Sequence, residues 1–557
     1  MSAWAWIGAA FVGLIVGVVV YDLFQTQHAI LRAFPVIGHF RYWLESVGPE
    51  LRQYIVTSNN EERPFSRDQR RWVYASAKRE NNYFGFGTDE KIELEPDYVI
   101  IKHAAFGPGV HHEQRDAERG VEDLERPPIV ADRPEKNVEA PAGAPASRFR
   151  YDFPVQDLRP YTLPCAKVLG GHRGREKAFR PESIVGISGM SFGSLSAAAV
   201  EAMNRGAKIC GCLHNTGEGG ISPHHAHGGD LIWQIGTAYF GCREPDGSFS
   251  RSRFLEAVDE HPVRAVEIKL SQGAKPGLGG LLPGAKVTPE IARIRGVPEG
   301  KDVISPAHHS AFGNVDEMLD FVEDLAEATG LPVGIKSAVG ESNMWRDLAH
   351  IVATEDRGVD FITIDGGEGG TGAAPLVFAD HVALPFRQGF SRVFRIFAEE
   401  DAEHKVVWFG SGKLGFPESA LLACALGVDM VNVGREAMMA VGCIQAQRCH
   451  TGNCPTGVAT QNKWLMRGLV PTDKAARLAN YVVTLRKELL WLSRACGVEH
   501  PGLTTGHHVE LLDAAHGSRD LYAAFGYEPG WGLPGAADRH AIRALMEELE
   551  REQPLEH

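Results

Sequence analysis

Eight short apolar runs constrain the fold of this chain more than any other feature. They read SIVGIS, ICGCLHN, AVEIKL, DVISP, PVGIKS, DFITID, KVVWFGS and DMVNVG, and helix-like stretches such as VDEMLDFVEDLAEATG lie between several of them. Runs that are apolar throughout are typical of strands buried on both faces of a parallel sheet. The series therefore predicts an α/β fold, a (β/α)8 TIM barrel.

The first 21 residues form an apolar segment without a charged side chain. A helix of about 20 residues crosses a hydrocarbon core about 30 Å thick. Trp4, Trp6 and Tyr21 stand where interfacial aromatic residues are expected. The rival interpretation is a cleaved signal peptide, but no basic residue precedes the run and no clear cleavage site follows it. We interpret residues 1–24 as an N-terminal transmembrane helix.

Basic residues follow this apolar segment, and none precedes it. Arg32, Arg41 and Arg52 lie within the next 31 positions. Positive charge beside a single span favours the cytoplasmic side. We therefore expect a single-pass protein of the cell membrane whose catalytic domain faces the cytoplasm.

Composition divides the rest of the chain into four segments. Residues 25–108 form an N-terminal flanking segment. Residues 109–150 are charged and rich in proline and alanine, as in a linker or an extended loop. The barrel is predicted over residues 151–466. Residues 467–557 begin with a helical pattern and are predicted to be a C-terminal helical segment.

Charge and cysteine content exclude two classes of protein. The formal net charge of −14 argues against a nucleic-acid partner, because phosphate contacts need a basic surface. Nine cysteines among 557 residues do not indicate a disulfide scaffold. A reducing compartment is the better expectation.

The segments that follow the predicted strands carry the chemistry. In a TIM barrel, the active site forms at the carboxyl ends of the strands. Glu218 lies in a glycine-rich segment after the second run, and Lys269, Lys275 and Lys336 end or follow later runs. Glycine runs and Arg435 follow the last three runs. Backbone amides and cations on the loops after strands seven and eight predict a phosphate site.

Three cysteines follow the last run, in GCIQAQRCHTGNCPTG. Cys443, Cys449 and Cys454 are one too few for a closed four-cysteine metal site and one too many for a single disulfide. A zinc site of three cysteines and His450 is one alternative. Structural zinc pairs are usually separated by two to four residues, which disfavours that alternative.

Five motifs resemble those of a known family. SGMSFGSLS, NTGEGG, QGAKPGLGGLLPG, GGTGAAP and CHTGNCPTGVATQ occur in the same order as in the FMN- and iron–sulfur-containing synthase domain of glutamate synthase. The resemblance covers residues 183–466. More closely, the chain resembles the stand-alone FMN-binding glutamate synthase family, whose members are often membrane-anchored.

The resemblance implies two cofactors and their contacts. It implies FMN across the barrel mouth, and a [3Fe-4S] cluster bound by Cys443, Cys449 and Cys454, since three thiolates ligate three irons. It implies substrate-side catalytic roles for Glu218 and Lys275. The residues that it implies for FMN binding are Gly189, Met190, Ser191, Lys269, Gln272, Lys336, Gly369, Gly370, Gly410, Gly412, Gly434 and Arg435.

The sequence departs from this family at the substrate side. Leu278 and Leu281 stand where glutamate synthases have a glutamate and a glutamine, and Gly367 and Glu368 stand where a His-Asp pair is usual. The sequence also shows no glutaminase nucleophile and no NAD-binding fingerprint. We therefore expect ammonia to arrive free or from a partner, and electrons to come from a ferredoxin-like or other donor protein.

Three functions are compatible with these features. The first is reductive amination of 2-oxoglutarate to L-glutamate, with a hydride passing from reduced FMN to an imine. The second keeps both cofactors but acts on a different amino, hydroxy or keto acid, because of Leu278 and Leu281. The third is a membrane-tethered electron relay without turnover.

Overall fold

The computed structural model describes most of the chain outside one long central gap. The described residues are 2–25, 29–51, 61–83, 85, 87, 88, 90, 92, 95–105, 162–513 and 517–552. They fall into two compact units, Met1–Arg71 and Trp72–His557. The predicted linker at residues 109–150 lies outside the described residues.

The described residues of the first unit contain three complete helices. They are Ala3–Phe24, Ala29–Ala33 and Ile37–Leu51, and a fourth helix, Arg67–Lys78, begins near the end of the unit. Within the described residues, Ala3–Phe24 is the one helix that is long and apolar enough to cross a membrane, and a signal sequence would pass the same test. Near its end, the buried Asp22 accepts a hydrogen bond from the Val36 backbone amide at 2.9 Å. Its carboxylate also lies 2.8 Å from His39 Nε2.

The second unit contains a closed barrel of eight parallel strands, which confirms the predicted TIM barrel. Each strand pairs in parallel register with the next, and the last strand pairs with the first. In chain order, the first to eighth barrel strands are Val185–Ile187, His214–Asn215, Leu231–Ile235, Val263–Lys269, Val333–Ser337, Phe361–Asp365, Val407–Ser411 and Met430–Val433.

One predicted barrel strand is wrong, and one observed barrel strand was not predicted. The run DVISP is not in the barrel, because Val303–Ile304 pairs antiparallel with Leu281–Leu282 in a separate two-stranded sheet. Val303 is buried but Ile304 is exposed, so this strand buries one face only. The third barrel strand, Leu231–Ile235, was not predicted, although all five of its residues are buried.

Helices alternate with the barrel strands along the chain. Their buried residues recur at helical spacing, as in Val315–Thr329, where Met318, Leu319 and Val322 are buried. The helices that follow barrel strands are Ala197–Cys210, Arg251–Glu260, Pro289–Arg295, Val315–Thr329, Asn343–Thr354, Leu376–His381, Phe386–Glu399, Pro417–Ala425 and Arg435–Ala440. Short 3-10 turns lie at Pro223–His225, Gly284–Lys286, Glu403–Lys405, Cys449–Thr451, Pro501–Leu503 and Gly506–His508.

The segment before the first strand closes the amino end of the barrel. Leu169 and Phe179 form an antiparallel bridge, and both belong to a core cluster with residues from the barrel strands. Lys167 donates to the Val406 carbonyl at 2.9 Å and lies 3.0 Å from Asp429 Oδ2. Burial raises the pKa of Asp429, and the Lys167 ammonium opposes this effect. The charge of Lys167 is therefore compensated where the barrel is closed.

The C-terminal region is mixed rather than purely helical. Its helices are Pro471–Ala495, Leu521–Phe525 and Ala536–Glu552, and the short helix Lys463–Met466 precedes them. However, the strands Val509–Leu512 and Ser518–Asp520 form an antiparallel sheet with Val99–Ile101 from the N-terminal flanking segment. The helix Pro471–Ala495 packs closely on Ala197–Cys210. A β-carbon at Gly206 would lie only 2.8 Å from Leu478 Cδ2, so the contact requires glycine there.

Candidate active site

The loops at the carboxyl ends of the barrel strands contact one another through their backbones. The Gly273 amide, after the fourth strand, donates to Asp365 Oδ2 on the sixth strand at 2.9 Å. The Gly366 amide, after the sixth strand, donates to the Ser411 carbonyl on the seventh at 2.9 Å. A β-carbon at Gly273 would lie 1.7 Å from the Gly366 carbonyl oxygen, so only glycine permits this approach.

The predicted Gly189–Met190–Ser191 segment packs on the loop after the second strand. Gly217 adopts a left-handed conformation, with φ of +67°. A side chain there would come within 2.5 Å of the Ser191 amide. The two predicted motifs, GMS and NTGEGG, therefore meet at the barrel mouth, as the order of the strands requires.

A partly buried ion pair lies in this mouth. Lys269, the last residue of the fourth strand, has its Nζ 2.7 Å from Glu218 Oε1. The same Nζ donates to Gln272 Oε1 at 2.6 Å. A side chain at Gly236, just after the third strand, would come within 2.6 Å of Glu218 Oε2. Three predicted residues, Glu218, Lys269 and Gln272, are thus brought into contact.

The cations around Glu218 determine its charge. Burial raises the pKa of Glu218, but the charges of Lys269, Lys275 and Arg295 outweigh burial, and the net pKa is lowered. For Lys275, burial and the nearby Lys269 lower the pKa to about 8. Lys275 Nζ also donates to the Ala373 carbonyl at 3.3 Å. Glu218 is therefore a carboxylate at neutral pH, and Lys275 loses its proton in the mildly alkaline range.

Arg295 belongs to the same cluster but was not predicted. It ends the helix Pro289–Arg295, is buried, and donates to the Phe192 carbonyl at 3.0 Å. Burial lowers its pKa to about 10, and Glu218 opposes this shift. Its buried Nε has no hydrogen-bond partner among the described residues. The local sequence IARIRG resembles an ordinary surface helix and gave no signal of this placement.

The predicted phosphate-binding residues are mostly brought together. Arg435 donates a hydrogen bond to the Glu368 carbonyl. Its side chain also passes close to Gly370, where a β-carbon would lie 2.7 Å from Arg435 Cδ. Gly434 and Gly412 follow the eighth and seventh strands. The predicted Gly369 is linked back to the sixth strand, because its amide donates to the Gly366 carbonyl at 2.9 Å.

Gly410 is the last residue but one of the seventh strand, and its predicted contact with the phosphate stays a prediction. A side chain there would meet Phe386 Cζ at 2.9 Å and Leu414 Cδ1 at 2.8 Å. Its requirement for glycine is therefore explained by packing. Lys336 lies on the fifth strand in register with Lys269, and its Nζ is 3.6 Å from Asp365 Oδ2.

The three-cysteine motif lies just after the helix Arg435–Ala440. Cys454 is buried, Cys449 begins a 3-10 turn, and the Cys443 carbonyl accepts a hydrogen bond from the Tyr74 hydroxyl at 2.9 Å. Burial raises the pKa of Cys454, but backbone amides and the Thr456 hydroxyl outweigh it and lower the pKa overall. The pKa of Cys449 is raised by burial and by the nearby Cys454 thiol.

In the described residues, the three cysteine sulfurs are not as close together as the ligands of a single zinc ion. Thiolates around one zinc are about 3.8 Å apart, as follows from Zn–S bonds of ~2.3 Å in a tetrahedron. In the described part of the chain, the group whose ligand atoms all lie within 4.8 Å is Asp401, Glu403 and His404, not the cysteines. His450, the proposed fourth zinc ligand, is exposed.

One lysine connects the cysteine motif to the predicted flavin segment. The buried Lys286 donates to the Cys449 carbonyl at 3.0 Å and to the Ser194 carbonyl at 2.9 Å. Ser194 Oγ in turn lies 3.1 Å from Ser191 Oγ. Burial lowers the pKa of Lys286, and the two thiols Cys449 and Cys454 oppose this shift. The motif and the barrel mouth are thus adjacent.

The leucines that depart from the family pattern lie on a hairpin at the mouth. A side chain at Gly280 would come within 3.0 Å of Glu218 Oε1, and Leu282 is buried. Leu281 begins the strand Leu281–Leu282, is exposed, and pairs with the exposed Ile304. Leu278 is also exposed.

Comparison with known proteins identifies the family. The profile described as "Conserved region in glutamate synthase" matches residues 166–499. The "Glutamate synthase large subunit-like protein YerD" of Bacillus subtilis (strain 168) is 40% identical over 489 residues, which are 87% of this chain and 90% of that protein. An archaeal glutamate synthase of Methanocaldococcus jannaschii, whose name specifies NADPH, is 37% identical over 343 residues, which are 60% of this chain and 63% of that protein.

A solved structure and one further relative were also found. A flavocytochrome b2 variant with sulfite bound has a TM-score of 0.41 and 12% identity, covering 92% of this chain and 95% of that chain. A "Glutamate synthase large subunit-like protein" of Rhizobium meliloti (strain 1021) is 31% identical, covering 64% of this chain and 80% of that protein. The extent of the family match and the identity to the Bacillus protein decide the assignment: this chain belongs to the family defined by the conserved region of glutamate synthase.

Proposed function

We propose that this protein is an FMN- and [3Fe-4S]-dependent oxidoreductase of glutamate synthase type that acts on CH–NH2 groups. Its proposed reaction is the reductive amination of 2-oxoglutarate to L-glutamate. One observation carries the proposal: Glu218, Lys269, Lys275 and Arg295 cluster at one barrel mouth, beside a motif of three cysteines. A glutamate synthase-type reaction needs a dicarboxylate site, a proton carrier and an electron path at one place.

The residues of the mouth fit a flavin. At Gly217 and Gly273 the loops pack backbone against backbone, and no side chain projects at these positions. A flat aromatic ring requires such an unobstructed surface. Gly369, Gly370, Gly434 and Arg435 would hold the phosphate, and Lys269 and Lys336 supply positive charge near the ring. When bound, FMN supplies a hydride at N5, and the cluster held by Cys443, Cys449 and Cys454 supplies single electrons.

Two buried cations suit a substrate with two carboxylates. Lys275 and Arg295 both act electrostatically on Glu218, so both lie close to it. The unpartnered Arg295 Nε is a donor that a substrate carboxylate would satisfy. Leu281 is exposed, so its side chain is not buried against Glu218. These features favour 2-oxoglutarate over a keto acid with one carboxylate.

Glu218 would carry the proton. Condensation of ammonium with the keto carbon would give an iminium and water, and the carbon of the iminium would then accept the hydride. The carboxylate of Glu218, ionised at neutral pH, would take a proton from the nitrogen and return it to the departing oxygen, which leaves as water. Ionised again, Glu218 would then face the positive charge of the iminium. Lys269 keeps that carboxylate in place through its contact of 2.7 Å.

We further propose that the helix Ala3–Phe24 anchors the protein in the cell membrane, with the barrel in the cytoplasm. Its length and composition and the arginines that follow it support this topology. A ferredoxin-like or other donor protein would then deliver electrons, and ammonia would arrive free or from a partner.

Reoxidation of the reduced protein tests the proposed reaction. Anaerobically purified protein should contain one flavin and about three irons per chain. Among a panel of keto acids, 2-oxoglutarate with ammonium should reoxidise the flavin fastest and yield L-glutamate. Reoxidation by a monocarboxylic keto acid alone would favour the second function, and reoxidation by none, with both cofactors present, would favour an electron relay. A preparation without flavin would contradict all three.

The pKa of Lys275, at about 8, predicts a pH dependence. Below this pKa the ammonium binds a substrate carboxylate, and above it the charge is lost. At constant free ammonia, kcat/KM for 2-oxoglutarate should therefore fall as pH rises through about 8. Lys275→Ala should lower kcat/KM by ~10- to 100-fold at pH 7 and abolish this step, since hydrogen bonds to charged groups contribute about 1.5–3 kcal/mol. Lys275→Arg is the matched control, because its charge persists to higher pH. An unchanged step in Lys275→Ala would contradict the assignment.

Removal of a single thiol should separate the two cofactors. Cys449→Ser and Cys454→Ser should lose most of the iron but retain flavin, because the flavin residues lie on other loops. Cys496→Ala is the control, since Cys496 is a buried cysteine outside the motif. Iron and flavin analysis of the three variants measures this directly. Full iron content in both serine variants would exclude the cysteine motif as the cluster site.

Fractionation tests the membrane anchor. The full chain should remain in the membrane pellet after an alkaline carbonate wash, whereas a chain that begins at residue 25 should be soluble. A mature protein shortened by about 20 residues would instead identify the segment as a signal sequence.

A further inference from the structure

A buried carboxylate lies inside the barrel and has no role in the reaction described above. Glu267, on the fourth strand, is fully buried. It accepts hydrogen bonds from Gln234 Nε2 at 2.6 Å, Asn215 Nδ2 at 2.7 Å and Thr363 Oγ1 at 2.6 Å. Its partners come from the second, third and sixth strands. Within residues 162–513, which the structure describes without a gap, Glu267 forms no ion pair.

Such a group is costly to bury. A carboxylate without a cation loses its hydration, and three neutral donors offset only part of that loss. An apolar residue would fill the same space at lower cost. A barrel that retains a carboxylate here therefore gains something other than stability from it.

Glu267 determines the direction of two amide side chains. The NH2 groups of Asn215 and Gln234 both donate to the same oxygen, Glu267 Oε2, which fixes the orientation of the two amides. The opposite ends of these side chains are then acceptors. Asn215 Oδ1 accepts the Gly217 amide at 3.0 Å. Gln234 Oε1 accepts no hydrogen bond from the described residues.

Both amides lie against the first loop of the mouth. A side chain at Gly189 would come within 2.8 Å of Asn215 Oδ1, 2.9 Å of Gln234 Nε2 and 3.2 Å of Gln234 Oε1. Gly189 opens the GMS segment that meets the Glu218 loop at Gly217. The free acceptor of Gln234 is thus next to the proposed flavin site.

We infer that Glu267 is a positioning residue, which turns Gln234 so that its Oε1 accepts a hydrogen bond from the flavin N3–H. Oxidised isoalloxazine has a single N–H group, at N3, so an acceptor at the mouth has one flavin partner. This inference rests on the proposed FMN site. In this inference, Glu267 does not contact the flavin and influences it only through the side-chain amide of Gln234.

Flavin analogues test this contact without turnover. The deflavinated full chain is titrated with FMN and with 3-methyl-FMN, which lacks the N3–H, and the two dissociation constants are measured by flavin fluorescence. Wild-type protein should bind FMN roughly tenfold more tightly than 3-methyl-FMN, because the methyl group removes one hydrogen bond and occupies the position of its hydrogen. Glu267→Met removes the acceptor for both amides, and the ratio should fall to about one.

A matched variant separates orientation from structure. Glu267→Gln has the same shape and can still present an oxygen to both amides, so it should keep the wild-type ratio. Gln234→Leu should also reduce the ratio to about one, and it keeps the inference testable if Glu267→Met does not fold. Thermal unfolding of each variant reports on folding.

The outcomes separate this inference from the proposed function. A wild-type ratio near one, or an unchanged ratio in Glu267→Met or Gln234→Leu, would overturn the inference and leave the FMN proposal intact. A wild-type protein that binds neither flavin would overturn the FMN proposal itself.

Discussion

The contact between Lys269 and Glu218 organises the candidate active site. The Lys269 ammonium is placed by a barrel strand, and Glu218 by a glycine-rich loop. Lys275 and Arg295 add two more positive charges, so the cluster is net positive around one carboxylate. Charged side chains that are nearly buried lose their hydration, so they need nearby charges of opposite sign. The excess positive charge is what a doubly negative substrate would neutralise.

Backbone proximity makes this cluster possible. The loops at the mouth come from strands far apart in sequence, and they meet where glycine allows one backbone to touch another, as at Gly273 and Gly366. Lys286 extends the same connection to the three-cysteine motif through carbonyl groups on both sides. The three-cysteine motif and the mouth are therefore joined by the hydrogen bonds of one buried lysine.

The sequence predicted the barrel because strands buried on both faces leave a strong apolar signal. It failed for Leu231–Ile235, where Gln234 interrupts that signal, and for Val303–Ile304, where a hairpin with one buried face resembles a short strand of the core. The site was predictable where glycine motifs and lysines follow strands. Arg295 and Glu267 could not be predicted. Arg295 ends a helix and Glu267 lies within a strand, and only the folded chain shows that both are buried beside residues of the site.

The small antiparallel sheet ties together distant parts of the polypeptide. Val99–Ile101 pairs with Val509–Leu512, about 400 residues later. At a synthesis rate of ~5–20 residues per second, the early strand emerges from the ribosome roughly 20–80 seconds before its partner exists. Every strand of the barrel is complete by then. The barrel is thus free to form during translation, whereas this sheet can be completed only after residue 520 has left the ribosome.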